Sequence, residues 1–595
     1  MIGSVGSLLG SCFRDAVRIR EGAGALVLFL ILCRGLIDPV ACAGDFLSSL
    51  WFPACWALAT ISLLASVRGV LRGVGFVALF FPVAATHIHY AVALASHRSF
   101  LFAGIFPWGD AYMHFRQAAQ MAQDGFATRP FNGRFLYPGF FSSLLRLCSF
   151  NMQIAHLAVG AIFTCGLYAS VRALLVQTGV AGGSLFTLLL WIYWRDHGAC
   201  LMMTEQLGVI FGILALPLLL SMTRRRSFAL LLGAIFLLAV GFSTRPGALF
   251  VLPMLVLFAG WTGWSGWIFP AVPALPRVMV SMLIAAVVSG AGLFSNHVIQ
   301  TTAFRGTVVP YGNFAYTLNG LLNATTWEDS YTRYRGNPSL VMEENKALLR
   351  EHPALLAKGV FRAYVRAVSI KFLYSFDSEN RLAAISWLFA ITALVSLWRD
   401  AAQRDDALWI TLFGMGVLLS IPFAPPWDAG IRPYAVTIPF QAFLAAVGLG
   451  ICVRSLLKWL KVDDGSDRSP MPTPTPMVVP ASLLALLVLS LTFVLPVIHA
   501  RGAADLATSA PAVPGIRFIP GSSVMLDVGS AGLMQSGLSS IASCFRGEVK
   551  ALDLLRPGCL IGINWNDLGR YAALPDATAF KDYGRITTDV RLLPR

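Results

Sequence analysis

Charge is what this chain has least of. Lys, Arg, Asp and Glu together make up 13% of its 595 residues, about half the share that a water-facing surface requires, and this excludes an ordinary soluble enzyme. Acid is scarcer than base, 30 Asp and Glu against 45 Lys and Arg, for a formal net charge of +15. No basic stripe with interleaved aromatics accompanies that excess, so nucleic acid is not an expected partner. No CxxC pair or His/Cys cluster supports a structural zinc site. No Walker-type loop and no GxGxxG following a strand supports nucleotide binding, and no internal repeat is visible. The ten cysteines lie mostly in apolar runs, where they behave as small hydrophobes. Only Cys544 and Cys559 share a polar segment, where an oxidising compartment would allow a disulfide.

What the chain has instead is apolar length. Hydrophobic residues are 56% of the whole, in runs near the ~20 residues that cross a hydrocarbon core as a self-satisfied helix. Spans are expected near 23–44, 48–66, 73–96, 152–172, 181–195, 199–221, 227–243, 247–268, 278–298, 383–398, 407–424, 433–453 and 479–499, about thirteen. The N-terminus has basic residues before its first apolar run but no clean small-residue cleavage pattern, so that span is expected to be retained. Because cytoplasmic loops retain Lys and Arg, a cytoplasmic N-terminus places Arg14, Arg18, Arg20, Arg68, Arg72, Arg172, Arg224 to Arg226, Arg277, Arg399, Arg404, Arg454, Lys458 and Lys461 on the cytoplasmic side. The same bias accounts for much of the net positive charge.

This reading divides the chain into a cytoplasmic segment 1–22, a transmembrane core 23–455 with external loops 97–137 and 299–382, a Pro-rich cytoplasmic linker 456–478, a final span 479–499 and an external domain 500–595. The linker contains "DDGSDRSPMPTPTPM", of the composition of an extended or flexible segment. The tail alternates short runs such as 523–528 and 559–564 with turn residues and reads as a small mixed α/β domain.

The first external loop carries "FPWGDAYMHFRQAAQ" (106–120). As a helix it places Asp110, His114 and Gln117 on one face and Ala111, Phe115, Ala118 and Ala119 on the other, an amphipathic helix expected along the membrane surface. Asp110 is a candidate helix cap or, at the lip of a cavity, a general base toward an acceptor hydroxyl. Arg245 and Arg432 sit at external span ends, where a charge is costly unless paired, snorkelled or wet. Each is either an interfacial anchor or a clamp for a phosphate leaving group. Glu205, close after "WRDHG" (194–198), could support the cavity, pair with Arg195 or cap its helix. His114, His197 and His297 are candidate sugar or phosphate contacts, or structural residues. Trp108, Tyr112, Tyr137, Trp191, Tyr193 and Trp194 suit either sugar stacking or an interfacial belt. In the second loop, 299–382, the later half has helical periodicity with acid early and base late, fitting one or two amphipathic helices over the cavity. Asn323-Ala324-Thr325 there is a glycosylation sequon.

An external Asp followed by a surface helix and then "NGRFLYPGFFSSLL" (132–145) resembles the first-loop module of the GT-C glycosyltransferases, multispanning enzymes that take a sugar from a polyprenyl phosphate carrier, and is similar to the ArnT/protein-mannosyltransferase-like group. "MTEQLGVIFGILALPLLL" (203–220), "GFSTRPGALFVLPMLVLF" (241–258) and "WDAGIRPYAVTIPF" (427–440) are similar to the family's later motifs, the last with Pro433 between Arg432 and Tyr434. The resemblance covers about residues 70–455 and does not extend to the tail.

It implies an all-α polytopic fold of the GT-C type with external loop helices, and an inverting transfer with Asp110 as general base. His114, Arg134, Tyr137, Glu205, Arg245, Asp428, Arg432 and Tyr434 become candidate substrate contacts. The implied donor is a polyprenyl-phosphate sugar and the acceptor a glycan, lipid or protein hydroxyl, in a bacterial inner membrane with the active site and C-terminal domain in the periplasm. No obligatory cofactor or metal is expected, with a divalent ion kept open, since Asp124 is too far along the helix to pair with Asp110. Membrane lipids are the remaining partner. A transporter or lipid-linked glycan flippase, a polysaccharide ligase or acyltransferase, and an inactive envelope scaffold are the alternatives. A transporter should show inverted repeats or matched broken helices.

Overall fold

A computed structural model describes residues 2–66, 69–92, 101–102, 106–107, 110–127, 133–149, 151–199, 201–305, 312–334, 336–369, 382–424, 431–460 and 475–506. Apart from a two-residue antiparallel pair, β1 (Leu101–Phe102) with β2 (Phe106–Pro107), and one isolated bridge between Ala127 and Phe304, the regular structure among these residues is helical. Among the described residues seven helices are long and apolar enough to cross a membrane and four shorter apolar helices accompany them; the chain is a multi-pass membrane protein.

The expected first span is divided. α1 (Ile2–Ile37) ends and α2 (Pro39–Ser48) begins at Asp38, whose carboxylate accepts the Ala41 N–H at 2.9 Å, with Pro39 at the first helical position. A proline there costs no intrahelical bond in α2 but cannot continue α1. α3 (Trp51–Leu64) and α4 (Gly69–Val92) follow, then the loop helices α5 (Asp110–Asp124) and α6 (Leu136–Leu147).

α7 (Met152–His197) is a hairpin. Gly179 has φ 63°, ψ −169°, a conformation essentially restricted to glycine, and the Phe163 and Trp194 rings stack at 4.1 Å. In one straight helix those residues would be about 46 Å apart. The expected segments 152–172 and 181–195 are therefore its two antiparallel arms.

α8 (Thr204–Arg225) is buried on nearly every side, enclosed by α7, α9 (Phe228–Thr244) and the later helices Ile438–Trp459 and Thr475–Leu489. A helix apolar all round suits an enclosed position or a lipid-facing one, and here protein encloses it. α10 (Val251–Trp264) and α11 (Ala274–Ala303) pack together, and α11 turns Leu283, Val287 and Phe294 outward, as a lipid-facing helix should. α12 (Gly312–Asn323), α13 (Trp327–Arg333), α14 (Pro338–Glu351) and α15 (Ala354–Ser369) form a separate small core around Tyr316, Leu322, Val341 and Ala363, pinned by an Asn319 to Asn345 side-chain hydrogen bond of 2.9 Å.

The membrane core resumes with α16 (Ala383–Arg399), α17 (Arg404–Ser420) and α18 (Ile438–Trp459). α19 (Thr475–Leu489) and α20 (Leu495–Leu506) are joined by a π turn over Ser490–Val494. The Leu491 carbonyl there accepts from the Ser143 hydroxyl at 2.7 Å, which ties α6 to the final span.

The two ends of the helix bundle differ in chemistry. At one, Arg172 donates to the Leu64 carbonyl (2.8 Å), Arg454 to the Gln177 carbonyl (2.6 Å) and Thr223 to Asp406 (2.6 Å). The other end, reached along α8 and α18 from Arg224 and Arg454, carries Glu205 and Arg432. The expected α/β tail beyond 506, the Cys544–Cys559 pair and linker residues 461–474 lie outside the described residues.

Gly179 and Gly414 both have open space where a Cβ would go, so a difference between their alanine variants reads backbone conformation alone. Gly179→Ala should lower stability by about 1–3 kcal/mol, whereas Gly414→Ala, inside α17, should be neutral or stabilising. Thermal unfolding in one detergent decides; equal melting temperatures would contradict the strained turn.

Candidate functional site

Glu205 is the second residue of α8 and is 1% exposed. The helix lacks a side-chain cap at its start, so Glu205 is not the cap that the sequence allowed, although its charge suits the positive end of the helix. Nor is Arg195 its counter-ion: Arg195 forks onto neighbouring Asp196 at 2.7 and 3.1 Å. The Glu205 carboxylate instead takes Arg245, in a very short ion pair, and Arg432 at 2.5 Å on the same oxygen. Arg245 is 6% exposed and so is not an interfacial anchor.

Close backbone approach makes this convergence fit. Arg245 caps α9 immediately before the 3-10 turn Pro246–Ala248, and Arg432 opens the 3-10 turn Arg432–Thr437 that leads into α18. A Cβ on Gly212 would meet the Val436 carbonyl oxygen at 2.1 Å, and one on Gly247 would meet that of Pro433 at 2.4 Å. The Arg432–Thr437 turn can therefore press on α8, and the two turns on each other, only because these positions have no side chain.

Arg134 joins from the loop before α6. Asn296 of α11 grips both sides of it, accepting the Phe135 N–H at 2.9 Å and donating to the Gly133 carbonyl at 2.8 Å. Glu205, Arg245, Arg432 and Asp110 all act electrostatically on the Arg134 guanidinium. Burial and then Arg245 push its pKa down, opposed by Glu205 and Asp110. The two ion pairs to Glu205 leave Arg134 out, and among the described residues three guanidiniums stand against the Asp110 and Glu205 carboxylates.

Asp110 is the first residue of α5, half-buried, within electrostatic range of Arg134 and Arg432. α5 is not the expected surface helix. His114, Gln117, Ala111, Phe115, Ala118 and Ala119 are all buried, because α5 lies between α6 and α20 and its polar face turns toward the charged cluster rather than water. His114 packs edge-on to Tyr137 at 5.6 Å. Burial, then Arg134 and Arg245, lower its pKa to about 3, so the imidazole is neutral at physiological pH. The Tyr137 hydroxyl donates to Gln206 Oε1 at 2.5 Å, and Gln206 Nε2 donates to the Gly198 carbonyl at 2.6 Å.

Of the sequence candidates, Asp110, His114, Arg134, Tyr137, Glu205, Arg245 and Arg432 are brought together. Tyr434 is not among them, since it is buried with its hydroxyl donated to the Ala424 carbonyl at 3.0 Å. Asp428 and Trp108 lie outside the described residues, as does the Tyr112 side chain. His297 is exposed beside Phe294, and His197 packs on Tyr193. Trp191 and Trp194 are buried in ring clusters rather than forming a belt. Sequence reasoning missed Asn296 and Gln206, both acting through backbone or second partners. It gave Tyr193 as a sugar-stacking or belt aromatic, through its ring and not its hydroxyl. The buried Tyr193 hydroxyl has no hydrogen-bond partner among the described residues and lies within the field of Glu205, Arg245 and Arg432. Among the described residues no three His, Cys, Asp or Glu side chains gather as a metal site.

No protein-family model matches the sequence, and no curated protein matches it. Solved structures of the Archaeoglobus fulgidus oligosaccharyltransferase do superpose on it. The complex with zinc and sulfate is 11% identical with a TM-score of 0.37, covering 71% of this chain and 53% of that one. The form with an inhibitory peptide and a dolichol-phosphate is 13% identical with a TM-score of 0.34, covering 72% and 56%. The chain thus spans about half the length of the structures that it matches, and superpositions this loose carry no argument about activity.

Two measurements test the site's electrostatics. Removing one partner of a buried ion cluster strands the other, so Glu205→Gln should cost about 3 kcal/mol. Glu205→Gln with Arg245→Met should cost less than the sum of the single changes, in a double-mutant cycle of unfolding in mixed micelles; additive losses would contradict the pairing. For His114, the folded pKa lies below the unfolded value near 6.5, so the unfolded chain binds the proton first. Its contribution to stability is whole above pH 6.5 and is lost as pH falls toward 3. By pH 4.5 the loss is about 3 kcal/mol, and His114→Asn should flatten the acid limb of the stability profile by about that amount.

Proposed function

We propose that this protein is an integral membrane glycosyltransferase that moves a sugar from a polyprenyl phosphate carrier to an acceptor hydroxyl, with inversion at the anomeric carbon. The observation that carries this reading is the buried Arg245–Glu205–Arg432 cluster with Arg134 and Asp110 beside it, at the membrane-helix ends opposite the Arg172 and Arg454 end. By the positive-inside bias, the Arg172 and Arg454 end is cytoplasmic, and the site faces the external side, the periplasm in a bacterial inner membrane.

The chemistry follows from the charges. As the acceptor oxygen attacks the anomeric carbon, Asp110 takes its proton, and the bond from that carbon to the carrier's phosphate oxygen breaks with its electrons left on the phosphate. Glu205 already balances one of the two guanidiniums that it holds. The growing phosphate charge falls to Arg134 and to the guanidiniums that Glu205 holds in place, fixed donors that need little reorganisation. His114, neutral at working pH, and the unpartnered Tyr193 hydroxyl are hydrogen-bonding groups for donor or acceptor. No nucleotide is required, because the activated sugar arrives in the membrane. The helical unit α12–α15 is assigned to acceptor recognition, with a glycan, lipid or protein as the class of acceptor.

The test is transfer of radiolabelled sugar from polyprenyl phosphate carriers to endogenous acceptors, in membranes holding matched amounts of wild type or Asp110→Asn. The variant should lose about 10²–10⁴-fold in rate while retaining donor binding. Undiminished transfer by Asp110→Asn removes the general-base assignment. Inactivity of the wild type with every carrier favours the transporter or scaffold reading.

A further inference from the structure

α15 carries an outward face that neither its own small core nor the charged site uses. Gly359, Ala363 and Ala367 turn inward: Gly359 lies against the Leu321 carbonyl of α12, and Ala363 and Ala367 are buried. Phe361 and Val365, one helical turn apart, are 70% and 56% exposed, and a large ring left so open is rare on a water-facing helix without a partner. Beside them Lys358, Arg362 and Arg366 recur every four residues in a row of base. Arg362 ties this row to the protein through the Leu321 carbonyl at 3.2 Å. On the other flank of the apolar pair, the Tyr364 hydroxyl donates to the Leu418 carbonyl at 3.1 Å.

That last bond fixes the depth of the helix. Leu418 is in the final turn of the membrane helix α17, on the same end of the bundle as Arg245, and Met415, Leu418 and Leu419 of α17 are themselves exposed and apolar. Around α15 the order is therefore a tie to the end of a membrane helix, then the apolar pair, then the basic row. Such an order suits the boundary between acyl chains and headgroups, where apolar rings enter the hydrocarbon edge and Lys and Arg meet lipid phosphates.

We infer that α15 is an interfacial helix that seats the α12–α15 unit on an anionic phospholipid surface, with Phe361 and Val365 in the acyl boundary and the Lys358–Arg362–Arg366 row on the headgroup phosphates. Charge complementarity and continuity with the apolar end of α17 commit this face to lipid rather than to a protein partner. The inference stands whether or not the chain transfers sugar.

The test uses the full-length protein in nanodiscs, with a photoreactive benzophenone amino acid in place of Phe361 and radiolabelled phospholipid in the bilayer. Lipid crosslinking at 361 should exceed several-fold that of the same group in place of Glu343, exposed on α14. It should also be stronger in discs containing phosphatidylglycerol than in phosphatidylcholine alone. Lys358→Glu, a change at an exposed position, should reduce the yield in the anionic discs by about fivefold or more. Crosslinks from 361 only into the protein chain, or equal lipid yields at 361 and 343, would overturn the placement. Equal yields in the two lipid mixtures would overturn the anionic preference.

Discussion

One carboxylate organises the end of the helix bundle where Arg245 and Arg432 lie. Glu205 starts the most enclosed helix of the bundle and holds Arg245, which ends α9, and Arg432, which precedes α18. Three pieces of the core, two adjacent in sequence and one about 190 residues further on, are thereby joined around a carboxylate with almost no access to water, where an unpaired charge is very costly. The short helix-breaking turns around Pro246 and Pro433 serve this junction, because they end or begin a membrane helix at the place where its arginine must reach inward. A core held by apolar packing alone would tolerate slippage of these helices by a turn; the shared carboxylate does not.

The same junction explains why the charges are both structural and available. A carboxylate between two guanidiniums fixes their directions while cancelling only part of their charge, and Arg134 is added by a different device, the Asn296 clamp on its flanking backbone. α11, which supplies that clamp, leads on toward the α12–α15 unit. A lateral shift of α11 would thus move the Arg134 guanidinium relative to the Glu205 cluster.

Much of the membrane architecture was legible because an apolar run of spanning length has few other uses, and a charge at its end stands out; Arg245, Arg432 and Glu205 were found that way. Their mutual pairing was not legible, since Glu205 meets partners 40 and 227 positions away and Arg195 offered a nearer one. The sequence separated the two faces of α5 but did not show that protein covers both, because periodicity reports which residues differ and not what covers them. Asn296 left no signal, as its work is on backbone groups, and Tyr193 was indistinguishable from a belt aromatic. The break at Pro39 was hidden within a continuous apolar stretch.

The hairpin closed at Gly179 bears on how such a chain is made. Its two arms are contiguous in sequence, and the Phe163–Trp194 stack joins them without waiting for any distant element. Low sequence separation makes such a contact fast and cheap in chain entropy, so the pair can assemble as soon as residue 197 has been synthesised. α8 and α18, which complete the charged site, come later and dock on a surface that already exists. The polar junction is thus completed upon an apolar scaffold, once α18 has brought Arg432, the second arginine, to Glu205.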